Sequence, residues 1–436
     1  MAGQRNGISR RTIAKGGMAA VAGAAASSRF AVPAVIAFQG DGEISFMNWD
    51  TVADTPLETA LNTFQEQTGI TVNVQPTPTG EYETKMRTLI ASGSPPDVMR
   101  INDDFVRGYS LTGQILDLNP YIEQSGINPD EYNEHPYRFP IQPDGTHMAW
   151  TLGTQPAMIF YNVSMFEEAG VTRPPGTWTD KGWTWDDFLE TAKQLTDAGQ
   201  QRWGALVYDD TSSETVYTVN NGEPTGIYSE DGTEFTLANP AAIEGIQWIT
   251  DLACVHEVQP PWSQLQQDQA GNQLFASGRV GMIERTFGTA AYFRNNVSEF
   301  TWDVAPVPAN VSQTTIATLI DFCIPKSAGN PDAAWELLKF LGGVEGGRIF
   351  AEAGVWVPAH KEAAASLQAL DGTPEHIALV TEAVQHSTNE NFSEHIERAR
   401  QIYRPQLDLI FNCEKSAEEV LTSLRADVEA ALAGEM

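Results

Sequence analysis

Apolar and polar residues alternate with two different periods from position 43 onward. Alternation at every second residue predicts strands over residues 43–49, 70–74 and 98–101, because neighbouring side chains of a strand point to opposite faces of a sheet. Between these strands lie two apolar stripes at helical spacing, and glycine or proline follows each of them (Leu57, Ala60, Leu61, Phe64; Tyr82, Met86, Leu89, Ile90). This β-α-β-α-β order predicts an α/β lobe with a doubly wound sheet, whose ligand groups collect at the carboxyl ends of the strands.

The rhythm changes in the middle of the chain. Two extended runs over residues 148–161 flank Gly153 and Pro156, and amphipathic helices are predicted over 185–198 and 241–255. Later segments are predicted as two strands, one helix and a helical C-terminal block (301–308, 316–325, 331–341, and 375 onward). This change in the order of strands and helices predicts that the chain leaves the first lobe and forms a second one.

Residues 1–37 have the layout of a twin-arginine export signal peptide. Paired arginines at 10–11 precede a short apolar stretch over 16–26, and small residues surround a cleavage point after position 37. The apolar stretch is too short and too rich in glycine and alanine to span a bilayer. The competing interpretation is a cytosolic protein with a basic N-terminus. The pattern favours export to the periplasm, and the first cysteine, Cys254, is too distant to carry a lipid anchor.

The strongly acidic composition narrows the range of partners. The net charge is −31, and removing the predicted signal peptide, which holds five basic residues and no acidic residue, lowers the net charge to −36. A protein of this charge repels nucleic acid and anionic lipid, so neither is expected as a partner. A mature chain of about 400 residues exceeds the usual size of one domain, so two lobes are expected, each with its own core.

Residues for catalysis or metal binding are sparse. The three cysteines are an odd number without close spacing, which excludes a zinc knuckle and allows at most one disulfide; three buried thiols are the favoured interpretation (Cys254, Cys323, Cys413). The seven histidines are dispersed, and no dinucleotide, P-loop, zinc-protease or serine-hydrolase motif occurs. Neither a cofactor nor a metal is therefore expected. A glycoside-cleaving acid pair such as Asp103 and Asp104 stays open, because such pairs carry no local signature.

Eleven tryptophans are the positive signal. Trp49, Trp150 and Trp356 lie at predicted strand ends or beside glycine and proline, which predicts exposed indoles that can stack on the C–H face of a sugar ring. For any single one of them core packing is the favoured interpretation, because large apolar side chains are usually buried. Two tryptophans within amphipathic helices are predicted to be core, and a cluster of three is predicted to cover a lobe (Trp248, Trp335; Trp178, Trp183, Trp185).

Several stretches, in their order along the chain, resemble the extracellular solute-binding proteins of carbohydrate ABC importers, the class that contains maltose-binding protein. They cover nearly the whole mature chain, although each stretch alone is a weak signal. They are LNTFQEQTGITV at 61–72, SPPDV at 94–98, FYN at 160–162 with FEEAG at 166–170 and WDDF at 185–188, FASGRVGM at 275–282, VAPVP at 304–308, IPKS at 324–327 and AAWELLKFL at 333–341.

The resemblance implies two α/β lobes that close on a solute held in the cleft between them. Each lobe combines two parts of the chain (38–150 with 306–357, and 155–302 with 358–436). The crossings between lobes are expected near Gly153 and Val304. The resemblance places eleven residues at the ligand. They are Trp49 and Asp50 after the first strand, Asp103 and Asp104 after the strand at 98–101, Gln155 beside the first crossing, Glu284 and Phe287 in the second lobe, Asp321 in the returning strand, Trp356 before the final helical block, Phe392 in the late helical region and, as a weaker addition, Tyr208.

The implied function is that of a receptor, not an enzyme. It captures a neutral sugar or polyol and presents this small molecule to the membrane permease of an ABC transporter, as a monomer. Arg100, Arg285 and Arg398 are the only basic residues near the expected cleft, which favours a neutral ligand. A glycerophosphodiester or an oligopeptide is the alternative ligand. An exported carbohydrate-active enzyme is the alternative class.

Overall fold

The computed structural model describes residues 42–49, 51–102, 106, 113–179, 182–208, 214–267, 269–370, 374–389 and 395–435. The predicted signal peptide and four of the predicted ligand residues lie outside these ranges (Asp50, Asp103, Asp104, Phe392). Within them, no helix combines the length and the apolar character that crossing a membrane requires.

The strands of the described chain form one sheet in the order β2-β1-β3-β8-β4-β6-β5, with β7 and β9 paired to β4 and β10 paired to β8. β1 pairs in parallel with β2 and β3, and β3 pairs with β8 in antiparallel orientation. The strands are β1 (Glu43–Asn48), β2 (Thr71–Pro76), β3 (Val98–Ile101), β4 (Trp150–Asn162), β5 (Trp203–Leu206), β6 (Val280–Thr286), β7 (Trp302–Ala305), β8 (Thr315–Cys323), β9 (Val357–Pro358) and β10 (Ser387–Thr388).

The helices cover both faces of this sheet. They are α1 (Pro56–Thr68), α2 (Thr79–Ala91), α3 (Asn119–Gln124), α4 (Glu134–Arg138), α5 (Val163–Ala169), α6 (Trp185–Leu195), α7 (Glu214–Asn220), α8 (Pro240–Cys254), α9 (Ala270–Ala276), α10 (Thr289–Asn296), α11 (Pro331–Leu341), α12 (Val344–Ala353), α13 (Lys361–Ala365), α14 (Ala378–Ala383), α15 (Ile396–Phe411) and α16 (Ala417–Leu432). Helix α1 shows how the sequence sets its ends: Pro56 occupies the first turn, and Gly69 caps the C-terminus in the left-handed conformation.

Strand β4 connects the two halves of the molecule. Its first half pairs with β8 and β9, and its second half, from Ala157 onward, pairs with β6 and β7. The two extended runs predicted around Gly153 and Pro156 are therefore one long strand. A side chain at position 153 would meet the Trp356 indole at 2.1 Å, so glycine is needed where that ring approaches the strand.

Apolar side chains form separate cores on the two sides of this connection. In the first, Phe46 and Phe322 lie on one face of the sheet, and Met47 and Cys323 lie on the other. The second core gathers the later half of β4 with β5, β6 and β7 and extends to the C-terminal helices; it also includes Ile316. The prediction of α/β lobes with doubly wound sheets is confirmed.

The cysteine prediction is wrong in one respect. Cys254 and Cys413 form a disulfide, with their Cα atoms 5.8 Å apart, and only Cys323 stays a buried thiol. The bridge joins the C-terminal end of α8 to the residues just after α15. It closes a separation of 159 residues, so local spacing carries no signal for it.

For Trp150 the core interpretation is right and the exposed one is wrong. Its side chain is 2% exposed and packs edge-on against Trp335 and Tyr132, at ring-centroid distances of 5.2 and 5.3 Å. It lies at a strand end in the sequence, but β4 continues through the interior, so this strand end is buried. Trp335 is buried in the first core as predicted, whereas Trp248 is half-buried and packs against the second core; the cluster at 178–185 is buried in the second core.

Candidate functional site

A cavity of about 220 Å³ opens where strands β1, β3, β4 and β8 meet the start of α1. We call it the strand-end cavity. Its polar lining includes Asn48, Arg100 and Gln155, and its apolar lining includes Trp356. Gly288, which follows β6, lines it from the side of the second core. The cavity therefore lies where the two cores face each other.

Trp356 presents a flat aromatic wall. It is half-buried and packs on Phe350 with ring centroids 4.3 Å apart, and the edge of its indole lies against Gly153. The ring is therefore held between Phe350 and Gly153, and Trp356 also lines the strand-end cavity. A fixed aromatic face beside polar groups is suited to the apolar side of a polyhydroxylated molecule.

Gln155 places a carboxamide at the junction of three segments. Its Nε2 donates to the carbonyl of Val355 at 3.2 Å, and the Thr318 hydroxyl donates to its Oε1 at 3.5 Å. A side chain at position 288 would come within 2.5 Å of Nε2, so the glycine there leaves room for the amide. The amide can donate and accept further hydrogen bonds, as a hydroxyl-rich ligand requires.

Trp49 and Arg100 stack at the carboxyl ends of β1 and β3. The guanidinium carbon of Arg100 lies 4.1 Å from the centroid of the Trp49 ring, and Tyr82 contacts the indole edge-on at 4.9 Å. Nη1 of Arg100 lies 3.5 Å from Oδ1 of Asn48. The predicted position of Trp49 at a strand end is thus joined to a cationic group that lines the strand-end cavity.

Asp321 lies behind this cluster, fully buried on β8. Its Oδ1 accepts a hydrogen bond of 2.5 Å from the Thr151 hydroxyl, and its neighbour across the ladder is Ile101, next to Arg100. Burial raises the pKa of the Asp321 carboxyl to about 7, although the hydrogen bond from Thr151 and the charge of Arg100 act in the opposite direction. This carboxylate changes charge near neutral pH.

The second core contains three of the predicted site residues. Tyr208 stacks on Phe411 with centroids 4.1 Å apart, and Phe287 has no exposed surface. Glu284 is 2% exposed and lies beside the Tyr217 hydroxyl; burial, followed by the charge of Glu284, raises the pKa of that phenol. None of these side chains lines the strand-end cavity, so their predicted ligand contacts gain no support from exposure.

Arg285, next to Glu284 on β6, is held by protein groups. Its Nε donates to Oδ1 of Asn272 at 2.7 Å, and its Nη1 donates to the carbonyl of Glu284 at 2.7 Å. The side chain is buried. This arginine therefore joins β6 to α9, and its Nε and Nη1 groups are engaged by protein oxygens.

The strand-end cavity thus unites some of the predicted residues and adds others. Gln155 and Trp356 line it directly, and Trp49 contacts its Arg100 wall. Asn48, Gly288 and Phe350 also line it, although they were not predicted from the sequence. Asn48 had a usable signal, because it is the polar residue that ends β1. Phe350 had none, since it belongs to an ordinary apolar helical stripe.

Another group, Asp303, Glu375 and His376, brings three potential metal-binding atoms within 4.8 Å of one another. Asp303 is already engaged: its Oδ2 accepts from the Tyr161 hydroxyl at 3.1 Å and lies 2.5 Å from Nδ1 of His376. Its Oδ1 accepts from the backbone N–H of His376 at 2.9 Å. These contacts tie the segment before α14 to β7.

Comparisons with known proteins agree with this architecture. Residues 48–348 match the family described as "Bacterial extracellular solute-binding protein". The erythritol/L-threitol-binding protein of Mycolicibacterium smegmatis is 29% identical over 191 residues, which are 41% of this chain and 38% of that protein. The aligned region thus spans well under half of that relative.

Solved structures share the fold over almost the whole chain. An ABC substrate-binding protein of Listeria monocytogenes in complex with cycloalternan superposes with a TM-score of 0.79 at 24% identity, covering 91% of this chain and 99% of that one. UgpB of Mycobacterium tuberculosis in complex with glycerophosphocholine gives a TM-score of 0.76 at 17% identity, covering 91% and 100%. Such neighbours are two-lobed binding proteins with a cleft, and the family match covers more than half of this chain. The chain belongs to the bacterial extracellular solute-binding proteins.

Proposed function

We propose that this protein captures a neutral sugar or small polyol in the strand-end cavity and presents it to the permease of an ABC importer. The observation that carries the proposal is the juxtaposition of the fixed Trp356 face with the Gln155 amide, at the point where both cores meet. The relative that binds erythritol and L-threitol supports a small polyol. Family members bind solutes, and a receptor of this kind needs no catalytic group.

The size and charge of the cavity support the same ligand class. Ligand pockets for drug-sized molecules usually measure about 300–1,000 Å³, and this cavity of about 220 Å³ is smaller. Arg285 is bound to protein groups, and Arg100 lies over an indole. A phosphate-containing ligand usually requires an accessible arginine or a helix N-terminus.

Binding is proposed to close the two lobes. A solute that contacts both sides of the cleft stabilises the closed state by its higher affinity for that state. We propose that the two lobes have the boundaries that the family resemblance implies, and that the residues it places at the ligand contact the solute. Asp50, Asp103, Asp104 and Phe392 are candidate contacts among the residues outside the described ranges.

A binding screen tests the proposal. Isothermal titration and thermal denaturation are run with erythritol, L-threitol, D-tagatose, maltose, sn-glycerol 3-phosphate and glycerophosphocholine. We expect saturable binding of at least one neutral compound, with a melting temperature that rises with its concentration, and a smaller radius of gyration by solution scattering. Tighter binding of a phosphate compound would select the alternative, for which the glycerophosphocholine-bound neighbour is the precedent. Product formation on incubation with oligosaccharides would establish an enzyme.

Export to the periplasm through the twin-arginine route is a separate proposal. It rests on the arginine pair at 10–11 and the apolar stretch at 16–26. Replacing both arginines with lysine keeps the charge but removes the paired guanidinium groups. The variant should accumulate in the cytoplasm, as measured by fractionation; an unchanged periplasmic yield would refute this route.

A further inference from the structure

We propose that Arg100 is a positioning residue: it holds the indole of Trp49 in place for the solute and does not bind the solute as an anion site. The proposal rests on the proposed function, because it assigns a role within the same strand-end cavity. It concerns the one arginine that lines this cavity among the described residues. Two interpretations of that arginine are therefore opposed, a clamp for an aromatic ring or a binding group for phosphate.

The guanidinium of Arg100 stacks on the face of the Trp49 indole. The guanidinium carbon of Arg100 lies 4.1 Å from the centroid of the Trp49 ring. At this distance the planar guanidinium covers one face of the indole, and the cation is attracted by the negative charge on that face. Trp49 is half-buried, so part of the ring is left for contact with a solute.

Tyr82 anchors this stack to both strands, β1 and β3. Tyr82, on α2, meets the Trp49 ring almost perpendicularly, at 85°. Its hydroxyl lies 3.0 Å from the carbonyl of Met47 on β1 and 2.8 Å from the carbonyl of Arg100 on β3. Tyr82 therefore fixes the spacing of the two strand ends that carry Trp49 and Arg100. The indole is held by a face contact and an edge contact at once.

The positive charge of Arg100 is surrounded by groups of the protein itself. The side chain is 9% exposed, and its Nη1 is within 3.5 Å of Oδ1 of Asn48. Asp321, buried on the neighbouring strand, acts on it as an opposite charge. A guanidinium that is buried, stacked on the Trp49 indole and close to the Asn48 amide oxygen already has protein partners. A phosphate would have to displace them to reach it.

The first experiment needs no ligand. Hydroxyl-radical footprinting with mass spectrometry measures the oxidation rate of each tryptophan separately. In Arg100→Gln, and in Arg100→Lys, which keeps the charge but loses the planar face, the oxidation rate of Trp49 should rise at least threefold while that of Trp356 stays unchanged. Arg87→Gln is the matched control, because it removes an exposed arginine from the adjacent α2. Equal Trp49 oxidation in the Arg100 variants and this control would overturn the proposal.

The second experiment separates positioning from direct binding. Erythritol affinity is measured for the wild type, Arg100→Lys, Trp49→Ala and the double variant. If Arg100 acts through Trp49, the double variant should bind within twofold of Trp49→Ala, although each single change weakens binding by about tenfold. If the losses of affinity in the two single variants multiply in the double variant, Arg100 contacts the solute independently of Trp49. This result would overturn the proposal.

The third measurement uses sn-glycerol 3-phosphate. The wild type should show no saturable binding of this anion. Binding that is lost in Arg100→Lys but kept in Trp49→Ala would make Arg100 a phosphate ligand and overturn the proposal. If no sugar, polyol or phosphodiester binds the wild type, the proposed function fails. The role of Arg100 would then still be decided by footprinting.

Discussion

The two cores differ in where their tryptophans are exposed, although both also bury tryptophans, as the first core does with Trp150 and Trp335. On the first-core side, Trp49 and Trp356 are half-buried and stand at or beside the strand-end cavity. In the second core, the tryptophans of β7, of α6 and of the loops are buried and pack on other rings (Trp178, Trp183, Trp185, Trp262, Trp302). The number of tryptophans therefore does not mark the site. A tryptophan marks the site when it lies where an element ends beside a cavity.

Buried charges show the same contrast. In the first core, Asp321 and Arg100 lie at the strand ends and one of them lines the cavity. In the second core, Glu214 has no exposed surface, and its Oε1 lies 3.2 Å from Nη2 of Arg404. The charge of Glu214 raises the pKa of Arg404 further above its usual range. This pair joins α7 to α15, so we interpret it as structural.

Breaking the second-core pair should give the largest effect on stability. Arg404→Met leaves Glu214 buried without its partner, and losing one member of a buried pair usually costs about 3–5 kcal/mol. The free energy of unfolding is measured by denaturant titration. Lys415→Met is the control, because it breaks an exposed pair with Glu419 and should cost less than about 1 kcal/mol. Similar losses in both variants would contradict the structural role of Glu214 and Arg404.

The disulfide should come next. Replacing Cys254 and Cys413 with alanine should lower the free energy of unfolding by about 2–4 kcal/mol, because the bridge restricts the unfolded chain across a long separation. A reducing agent should lower the melting temperature of the wild type and leave that of the double variant unchanged. If the reducing agent acts equally on both, the stabilisation does not come from this bridge.

The first-core carboxyl should make stability depend on pH. The folded state raises the pKa of Asp321 from 3.8 to about 7, so folded protein keeps a proton that the unfolded chain releases. This contribution is complete below about pH 4 and is lost as the pH rises through 7. Between pH 5 and pH 8 the wild type should lose about 2–3 kcal/mol relative to Asp321→Asn, which cannot ionise. Parallel stability curves for the two proteins would contradict the raised pKa.

Local patterns were sufficient for the elements that frame the site. Strand β3 over 98–101 and helix α11 over 331–341 have the predicted bounds, since their signals are a few adjacent residues. The long crossing strand β4 was predicted as two runs, because Gly153 and Pro156 interrupt the pattern. In the structure Gly153 is required by the contact with Trp356, more than 200 positions away. Such a contact has no local signature.

The candidate site was predictable only in part for the same reason. Trp49 follows a strand end, Gln155 lies beside the predicted crossing and Trp356 precedes the C-terminal helical block, and the family resemblance selected them. The partners that define their environment are distant in sequence: Arg100 stacks on Trp49, and Gly288 leaves room for Gln155. Tyr208 and Phe287 also follow strands, yet their side chains are buried in the second core. A strand end predicts a functional residue only when it faces open space.

The smallest predicted effect sharpens the contrast between the two sets of tryptophans. Trp356→Ala and Trp49→Ala should each weaken binding of a neutral solute by about 1–3 kcal/mol, because each removes a flat face beside the cavity. Trp203→Ala is the matched control: this half-buried ring, stacked under Arg279 at 5.3 Å, belongs to the second core side. The Trp203→Ala variant should bind erythritol with the affinity of the wild type, as measured by titration. If Trp203→Ala weakens binding as much as the cavity variants do, partial exposure alone explains the effect, and the strand-end cavity is not the binding site.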